Sequence, residues 1–513
     1  MTESPRPHKV VMIDRNSMTD RRILLEAETL RDLGVEVEIV GLGPIADTDS
    51  IEGVKRTAIW SDGQYEGSSI QDEEFGANSL TPNIDRFLRS HTTMRPLMTA
   101  VAMARFPREG MRLARESETI PAPLRPVASV VTGALARTVA AARTFRSGIR
   151  VASMWAAGRA ADVVQPVRAK MQERETPTSG ARALSSQEQI TRRVRITGTP
   201  DRWERAVADH VARVRPDVIH VHDLTALKAG CIAKALTGSL LVYDAHELYS
   251  HQPGIPKLTR RALSRLESTL MPVVDSAVVI NEDQAEVMRS EYGEFDYVCL
   301  TNATRAPEGF NPDGPHDLIR SRFAIPPDEP IILFQGGINR GRKIHLLFEG
   351  VAQARSRIHL VLLTWGIEIP EFQQLAKDLG IEERIHFVEP VPWNDVVYWA
   401  ASADAGFMPY QGHDLNTRLS HPNKMYEFIT AGTPMIGSSD LVNVRRTLEA
   451  TGIGVLHLLR EGKDYADALD IMFDDDWARW KECKANVLRS REQFSWETLS
   501  RDFVGLYERL GVV

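Results

Sequence analysis

A lysine and a glutamate that could act together stand three residues apart in the sequence SHPNKMYEFITAGTP, which spans residues 420–434. Asn423 is a favourable residue for a helix start and Gly432 for a helix end, so the segment predicts a short helix between two strands. Its N-terminus would offer free N–H groups beside Lys424, which suits a diphosphate. Glu427 lies one turn further on and can accept hydrogen bonds from ribose hydroxyls. The alternative is a connecting helix whose glutamate is only solvated.

A second candidate is the glycine-rich sequence FQGGINRGRK, which follows a run of β-forming residues and precedes a helical pattern. Gly336 and Gly337 would allow the backbone to approach a ligand closely. The three cations of the turn, Arg340, Arg342 and Lys343, could neutralise phosphate. The turn lacks the GK[ST] ending of a Walker A loop and the spacing GxGxxG. A nicotinamide or flavin enzyme is therefore disfavoured.

Two sets of histidines and carboxylates follow neighbouring strands in the first half of the chain. His222 and Asp223 end one predicted strand, and Asp244, His246 and Glu247 end the next. The carboxyl ends of parallel strands line the ligand crevice of such sheets, so these residues could hold an acceptor hydroxyl or transfer a proton. A histidine at a strand end is more often a packing or capping residue. The two carboxylates near His246 favour function there.

The elements that position these residues alternate between strand and helix. A strand–helix–strand pattern covers residues 9–42, resumes at 217–280 and recurs from 331 to 436. Such alternation predicts two doubly wound α/β domains with parallel sheets. The join is expected within residues 302–328, which contain several prolines and glycines and no strong apolar period.

Composition limits the classes of protein that the chain can belong to. The 513 residues include 62 Lys/Arg and 69 Asp/Glu, a net charge of −7 that argues against a general nucleic-acid binder. Three distant cysteines offer neither a disulfide framework nor a metal site, which fits a reducing cytoplasm. Neither a signal peptide nor a window of 18 uncharged apolar residues is seen, so the expected location is cytoplasmic.

The basic segment, residues 85–175, differs from the rest of the chain because it holds 16 Lys/Arg against 7 Asp/Glu. Within it, residues 124–155 are typical of an amphipathic helix. One interpretation is peripheral docking on an anionic membrane surface, such as the inner face of the cell membrane, or on a partner. The other is a helical insertion that packs on the first domain with a solvated basic face. Residues 177–189 are expected to form a flexible linker.

Several of these motifs together resemble a known family. The patterns GGxNxGR and PNKxxExxxAGTP, with the supporting sequences DVIHVHD, YDAHE and FSWE, are similar to those of family 4 retaining glycosyltransferases of the GT-B fold. The likeness covers residues 9–41 and 216–510. It does not explain residues 85–189, and it does not identify the transferred sugar.

The resemblance implies a division of the chain into three parts. Residues 1–305 would form an acceptor-binding Rossmann-like domain, with a helical or flexible insertion at about 85–190. Residues 306–495 would form the Rossmann-like domain that binds the nucleotide sugar. Residues 496–513 would form a helix that crosses back to the first domain. The reaction would take place in the cleft between the domains.

The resemblance also implies roles for individual residues. Arg342 matches the family's diphosphate-binding cation, and Glu427 matches the glutamate that holds the donor ribose. His246 is similar to the family's histidine near the transferred sugar. The loop that begins at Val388 lies where the family binds the base. With Gly336, Gly337, Arg340, Lys343, Asn423 and Lys424, these residues form the expected donor site.

The chain departs from the family pattern at two positions. The family often has a glutamate eight residues before Glu427, where it contacts the donor sugar, and here that residue is Leu419. The family's usual arginine in the glycine-rich turn is Gly337 here. Arg340, Lys343 or Lys424 could supply the missing charge. Sugar recognition is therefore expected to differ from that of typical members.

The expected activity is transfer of a sugar from a UDP- or GDP-sugar to a lipid-linked, polysaccharide or other hydroxyl acceptor, as in polysaccharide biosynthesis. Family likeness implies retention of the anomeric configuration. Positioned cations and a helix N-terminus would stabilise the diphosphate leaving group without a metal or other cofactor. One competing hypothesis is a nucleotide-sugar epimerase or hydrolase of the same fold. Another is a catalytically silent scaffold that binds a nucleotide sugar, a hypothesis that Leu419 keeps open.

Overall fold

A computed structural model of the chain describes residues 7–16, 19–42, 49–51, 53–59, 185–473 and 476–513. The basic segment, with the helix expected at 124–155, lies outside these ranges. No helix in the described ranges is both long and apolar enough to cross a membrane.

The first sheet has eight strands in the order β3-β4-β2-β1-β5-β6-β7-β8. All neighbours are parallel except β3 and β4. Its strands are β1 (Lys9–Asp14), β2 (Glu36–Leu42), β3 (Asp49–Ile51), β4 (Val54–Ile59), β5 (Val218–His222), β6 (Leu240–Ala245), β7 (Ser276–Val279) and β8 (Tyr297–Cys299). The helices of this half are α1 (Arg21–Asp32), α2 (Ser186–Ile196), α3 (Arg202–Val214), α4 (Asp223–Thr237), α5 (Lys257–Leu270) and α6 (Glu282–Tyr292).

The second sheet has six parallel strands in the order β11-β10-β9-β12-β13-β14. They are β9 (Ile331–Gln335), β10 (His359–Leu363), β11 (Ile385–Val388), β12 (Ala405–Met408), β13 (Met435–Ser438) and β14 (Gly454–His457). The later helices are α7 (Leu318–Phe323), α8 (Ile344–Gln353), α9 (Ile369–Asp378), α10 (Trp393–Ala401), α11 (Leu415–Leu419), α12 (Asn423–Ala431), α13 (Val442–Thr451), α14 (Gly462–Met472), α15 (Ala478–Ser490), α16 (Trp496–Leu499) and α17 (Arg501–Arg509).

Both sheets have the doubly wound α/β architecture that the alternating pattern predicted, and that prediction is confirmed. The strands read as nearly continuous apolar runs because helices cover both faces of each parallel sheet. In β9, for example, all five residues are buried. The strand order reverses between β1 and β5 in the first sheet and between β9 and β12 in the second. Crevices at the carboxyl ends of strands beside such reversals are where ligands bind in open α/β sheets.

The expected linker at residues 177–189 is wrong at its C-terminal end. Helix α2 begins at Ser186, inside that range. Its apolar residues Ile190 and Val194 are buried and pack into the core of the first sheet. The burial of these two side chains favours helix over the extended chain that the local composition suggested.

The last helix of the chain packs against the first sheet rather than the second. Phe503, Leu506 and Tyr507 of α17 are fully buried in the core that contains β1 residues such as Val10 and Met12. The hydroxyl of Tyr507 also lies 2.8 Å from Nδ1 of the buried His220. Helix α17 therefore contacts β5, the strand that carries His220 and His222.

Candidate functional site

Helix α12 forms where the sequence predicted it, directly after Pro422. No side chain caps its first turn, although the N–H group of Met425 donates to the carbonyl of Pro422 at 3.0 Å. The helix ends at Gly432, whose φ of +69° is a conformation that favours glycine. Helix α12 therefore begins and ends where the sequence predicted.

Two cations converge on the glycine-rich turn. Gly336 has a φ of +123°, and a Cβ atom placed there would lie 3.4 Å from Nζ of Lys424 and 3.7 Å from Nη1 of Arg342. The same Nη1 donates to the carbonyl of Gly337 at 3.0 Å. Nζ of Lys424 also bonds to the hydroxyl of Tyr410. Glycine at position 336 thus leaves the space into which both cations point.

Glu427 lies at the same place, one turn along α12 from Lys424. Its carboxylate accepts a hydrogen bond from Nε2 of Gln335, the last residue of β9. Burial raises the pKa of Glu427, whereas the charge of Lys424 opposes that rise and Asp20 of the other domain adds to it. The predicted diphosphate cations and the predicted ribose carboxylate are therefore neighbours at the end of one strand.

Arg340 and Lys343 occupy different positions, although the sequence placed them in the same turn. The guanidinium of Arg340 is exposed and pairs with Glu371 on α9, with 3.1 Å between Nε and Oε2. Its backbone N–H donates to Glu368 at 2.7 Å. Lys343 adopts a left-handed conformation and lines a separate pocket. Of the three cations that could replace an arginine at Gly337, only Lys424 lies beside Gly336.

A tryptophan packs against the position where the family has its arginine. A Cβ atom at Gly337 would lie 3.4 Å from Nε1 of Trp365, a half-exposed residue just after β10. The Cβ atom of an arginine there would already be in van der Waals contact with the indole ring. The glycine and the tryptophan are therefore complementary in shape.

The loop after β11 leads from Val388 to Trp393, which contacts the first domain. Val388 is buried, and its carbonyl accepts a hydrogen bond of 2.9 Å from the backbone N–H of Thr364. Asn423 is exposed at the first position of α12. The guanidinium of Arg21, from the first domain, lies over the ring of Trp393, which begins α10. The expected base loop is thus adjacent to a contact between the two domains.

The first sheet carries a buried network around His246. Nε2 of this histidine lies 3.2 Å from Oδ2 of Asp244 and 3.2 Å from Nδ1 of His222. Its Nδ1 lies 3.9 Å from Oδ2 of Asp223. Asp223 has a positive φ of 60°, and its Oδ1 accepts from the backbone N–H of His246. Both ring nitrogens of His246 therefore face protein carboxylates.

Sequence reasoning missed two further members of this network, which come from α1. Arg22 donates to Oε1 of Glu26 at 2.9 Å and to Oδ1 of Asp244 at 2.7 Å. All three side chains are at most 4% exposed. The available signal was the i,i+4 pair of charges on the face of α1 that otherwise carries Ile23 and Ala27.

The same network contains a set of potential metal ligands that the sequence did not suggest. One atom each from Glu26, His220, His222 and Asp244 lies within 4.8 Å of the others. They come from three separate elements, α1, β5 and β6, so no local spacing of residues could reveal the set. The guanidinium of Arg22 already bonds both carboxylates, which balances part of their charge.

The network sets the charges of its members. Burial alone would raise the pKa of Asp244, but Arg22 and His246 hold it well below its usual value. Burial opposes the charge of His246, yet Asp244 and Asp223 raise its pKa to about 10. Burial lowers the pKa of His222 to about 4. His246 is consequently the cationic histidine of the group and His222 the neutral one.

Leu419 has a structural position that accounts for the missing glutamate. Its side chain packs against the core of the first sheet. Its carbonyl accepts hydrogen bonds from Nδ2 of Asn281 at 2.9 Å and from Nδ2 of Asn443 at 2.7 Å. A glutamate here would place its charge against apolar groups of the other domain.

The short helix α11, which ends at Leu419, is fastened to the first domain by a second set of bonds. Oδ1 of Asn416 accepts from the backbone N–H of Leu248 at 2.9 Å, and its Nδ2 donates to Glu247 at 2.7 Å. Leu415 packs on the same core. Glu247, which the sequence grouped with His246, therefore joins the two domains.

Comparison with known proteins agrees with these features. A family model described as Glycosyltransferase Family 4 matches residues 178–300. A D-inositol 3-phosphate glycosyltransferase of Xylanimonas cellulosilytica is 24% identical over 308 residues, which cover 57% of this chain and 71% of that protein. The D-inositol 3-phosphate glycosyltransferase 1 of Catenulispora acidiphila is 25% identical over 314 residues, covering 57% and 72%.

Solved structures share the fold at low sequence identity. The Anabaena protein HepE, in complex with UDP and glucose, aligns with a TM-score of 0.57 and 12% identity over 98% of this chain and 100% of its own. Sucrose-phosphate synthase from Thermosynechococcus elongatus aligns with a TM-score of 0.56 and 13% identity over 98% and 99%. These likenesses bear on the fold alone.

Proposed function

We propose that the chain is a family 4 glycosyltransferase of the GT-B fold, and that it transfers a sugar from a UDP- or GDP-sugar to a hydroxyl acceptor with retention of configuration. The observation that carries the donor proposal is the meeting of Arg342, Lys424 and Glu427 around Gly336. HepE, a neighbour in fold, was solved with UDP. The acceptor proposed is lipid-linked, a polysaccharide or another hydroxyl compound.

The chemistry at the donor follows from the charge that the leaving group acquires. Breaking the anomeric C–O bond leaves negative charge on the nucleoside diphosphate. Arg342, Lys424 and the N-terminal turn of α12 stabilise that charge more in the transition state than in the ground state. Glu427 holds the ribose, and Gln335 fixes the orientation of its carboxylate. Because these cations supply the charge, the proposed mechanism needs no metal ion.

His246 would contribute a fixed positive charge near the transferred sugar. Both of its ring nitrogens face carboxylates, at 3.2 Å and 3.9 Å, so neither is placed to take a proton from an acceptor. An imidazolium held in this way acts through its charge on the partially negative oxygen atoms of the sugar. The proton of the acceptor hydroxyl would then be transferred to an oxygen atom of the departing diphosphate.

The membrane proposal rests on the charge of the basic segment, with its 16 Lys/Arg against 7 Asp/Glu between residues 85 and 175. We propose that this segment brings the enzyme to the anionic inner face of the cell membrane, where a lipid-linked acceptor would be presented. Deletion of residues 85–175 should abolish co-sedimentation with anionic vesicles. Unchanged sedimentation would remove this proposal and leave the insertion as a packing element.

The donor proposal is tested by nucleotide binding to the full chain. Calorimetry with UDP and GDP should show that one of them binds, and that the Glu427→Gln variant binds it at least about tenfold more weakly. The matched control is Glu371→Gln, a glutamate on α9 that pairs with Arg340 outside the cluster. Equal affinities of wild type and Glu427→Gln would contradict the ribose assignment.

A turnover assay separates transfer from its two alternatives. A transferase consumes the UDP- or GDP-sugar only when a cell-envelope lipid or glycan extract is present. Consumption without the extract would indicate a hydrolase or epimerase, and binding without any consumption would indicate a silent scaffold. The anomeric proton coupling of the product, measured by NMR, decides between retention and inversion.

A further inference from the structure

An open pocket of about 790 Å³ lies next to the proposed donor site on the second sheet. The segments that follow β9, β12, β13 and β14 form its walls, so it occupies the carboxyl-end crevice of that sheet. Its lining includes Lys343 and Gln411. Lys343 directly follows Arg342, and Gln411 directly follows Tyr410, whose hydroxyl bonds Lys424. The pocket therefore begins one residue beyond the diphosphate cluster on two separate segments.

The lining of this pocket is strongly cationic. Lys343, Arg418, Arg445 and Arg460 all contribute to it. In the part of the chain that the structure describes, none of the four side chains is within ion-pair distance of a carboxylate. Asp440 is the one acidic residue of the lining, and its Oδ2 accepts the backbone N–H of Gly412 at 3.0 Å. Within a protein of net charge −7, this is a local excess of positive charge.

Such an arrangement has a cost that a ligand can remove. Four like charges around one concave surface repel one another, and low-dielectric walls strengthen the field inside. Guanidinium groups bind phosphate and carboxylate through paired N–H donors, and they are less strongly hydrated than ammonium groups. An anionic group in the pocket would relieve the repulsion and satisfy these donors.

The position of Leu419 points in the same direction. A carboxylate at that residue would suit the neutral hydroxyls of a sugar, but here the side chain packs on the other domain. The neighbouring residue, Arg418, is exposed and lines the pocket instead. The charge offered beside the donor site is thus positive rather than negative.

We propose that this cationic pocket binds a phosphate or carboxylate group carried by the acceptor or by the transferred sugar. The proposal rests on the proposed function, because it places the anionic group beside a donor diphosphate. It adds a restriction on the substrates, since at least one of the two sugars or alcohols that meet in the cleft must be charged. Lys343 would lie at the boundary of the two sites.

The test compares two pairs of probes that differ by one anionic group. UDP-glucuronate against UDP-glucose tests an anionic donor sugar, and glucose 6-phosphate against glucose, without nucleotide, tests an anionic acceptor. Calorimetry at low salt should show that the full chain binds the anionic member of one pair at least about tenfold more tightly. The pair that shows the preference identifies the source of the anionic group.

The double variant Arg445→Gln/Arg460→Gln should lose that preference and keep its affinity for UDP or GDP. The control Arg355→Gln/Lys377→Gln removes two exposed charges from the same domain, outside the pocket lining. It should behave as wild type. Arg418→Gln alone provides a second variant if the double substitution lowers the melting temperature.

Two results would overturn the proposal: no preference in either probe pair, or a preference that persists in the double variant. Failure of the donor proposal is distinguishable from both. If neither UDP nor GDP binds the wild type, the assignment of the donor site is wrong. The comparison of glucose 6-phosphate with glucose still tests whether the pocket binds an anionic group.

Discussion

Charged groups at the strand ends of the first sheet are paired inside the protein, whereas those at the strand ends of the second sheet face the cleft. Arg22, Glu26 and Asp244 are at most 4% exposed, and Arg22 donates hydrogen bonds to both carboxyl groups. Arg342 is exposed, and the charge of Lys424 opposes the rise in the pKa of Glu427. The charges of the first set are buried beside opposite charges, whereas those of the second set are exposed or half-buried.

The difference teaches how the same edge of a parallel sheet can serve two purposes. A buried network of opposite charges holds a histidine in one orientation and one charge state. An open set of cations stays hydrated and strengthens its interactions when a charged ligand displaces the water. The first sheet is therefore expected to respond to substitution through stability and the second through ligand affinity.

The largest effect is expected from Arg22→Ala. The substitution leaves the carboxyl groups of Glu26 and Asp244 buried without the guanidinium that bonds both, so the free energy of unfolding in urea should fall by about 3–5 kcal/mol. The matched control is Arg355→Ala, because Arg355 is 74% exposed and pairs with Asp470 at the surface. That control should lose no more than about 1 kcal/mol. Similar losses of unfolding free energy in both variants would show that the buried and the exposed ion pairs contribute equally to stability.

The next effect concerns pH and His246. Its pKa is raised from 6.5 to about 10 by Asp244 and Asp223, against the opposing effect of burial. A raised histidine pKa stabilises the folded state below the unfolded pKa, and this stability is lost as pH rises from 6.5 through 10. The loss is on the order of a few kcal/mol.

The measurement is the free energy of unfolding as a function of pH for wild type and His246→Asn. Wild type should lose more stability between neutral pH and the alkaline limit of this window than the variant does. Parallel pH profiles would show that His246 is not held as an imidazolium in the folded protein.

A smaller effect, on affinity rather than stability, is expected from Lys424→Gln. Loss of one charge-assisted hydrogen bond to the diphosphate should weaken binding of UDP or GDP by about 10- to 100-fold. The unfolding free energy should change little, because the side chain is only half-buried at the mouth of the site. Added salt should weaken nucleotide binding more in wild type than in Lys424→Gln. The variant lacks one of the cations whose attraction to the diphosphate is screened by salt. If Lys424→Gln binds UDP or GDP with unchanged affinity, the diphosphate does not bind at the N-terminus of α12.

The smallest effect is expected from Arg340→Gln. Its guanidinium is 68% exposed and pairs with Glu371, outside the cluster around Gly336. Calorimetry should give an affinity for UDP or GDP within about twofold of wild type. A loss as large as that of Lys424→Gln would show that the glycine-rich turn rearranges when the nucleotide binds.

Local patterns predicted much of this arrangement. The start and stop residues of α12 act through neighbouring backbone, so Pro422 and Gly432 could be assigned from sequence. Arg342 and Glu427 were placed together by the resemblance to family 4 glycosyltransferases, which implies one donor site for both. The role of each in donor binding stays a prediction.

Other residues could not be placed in this way. Arg340, Arg342 and Lys343 lie within four positions of one another, yet their side chains reach Glu371, Gly337 and a separate pocket. A short 3₁₀ turn from 340 to 342 and the left-handed conformation at Lys343 set these directions. Sequence spacing in an irregular turn carries no such information.

By itself, the sequence determined the two α/β halves and the short helix α12, because apolar period and helix caps are properties of short stretches of chain. Only the tertiary structure decided that Arg22 and Glu26 close a network with Asp244, and that Leu419 packs on the opposite domain. Those contacts join residues more than a hundred positions apart, and their energies depend on burial, which exists only once the chain has folded.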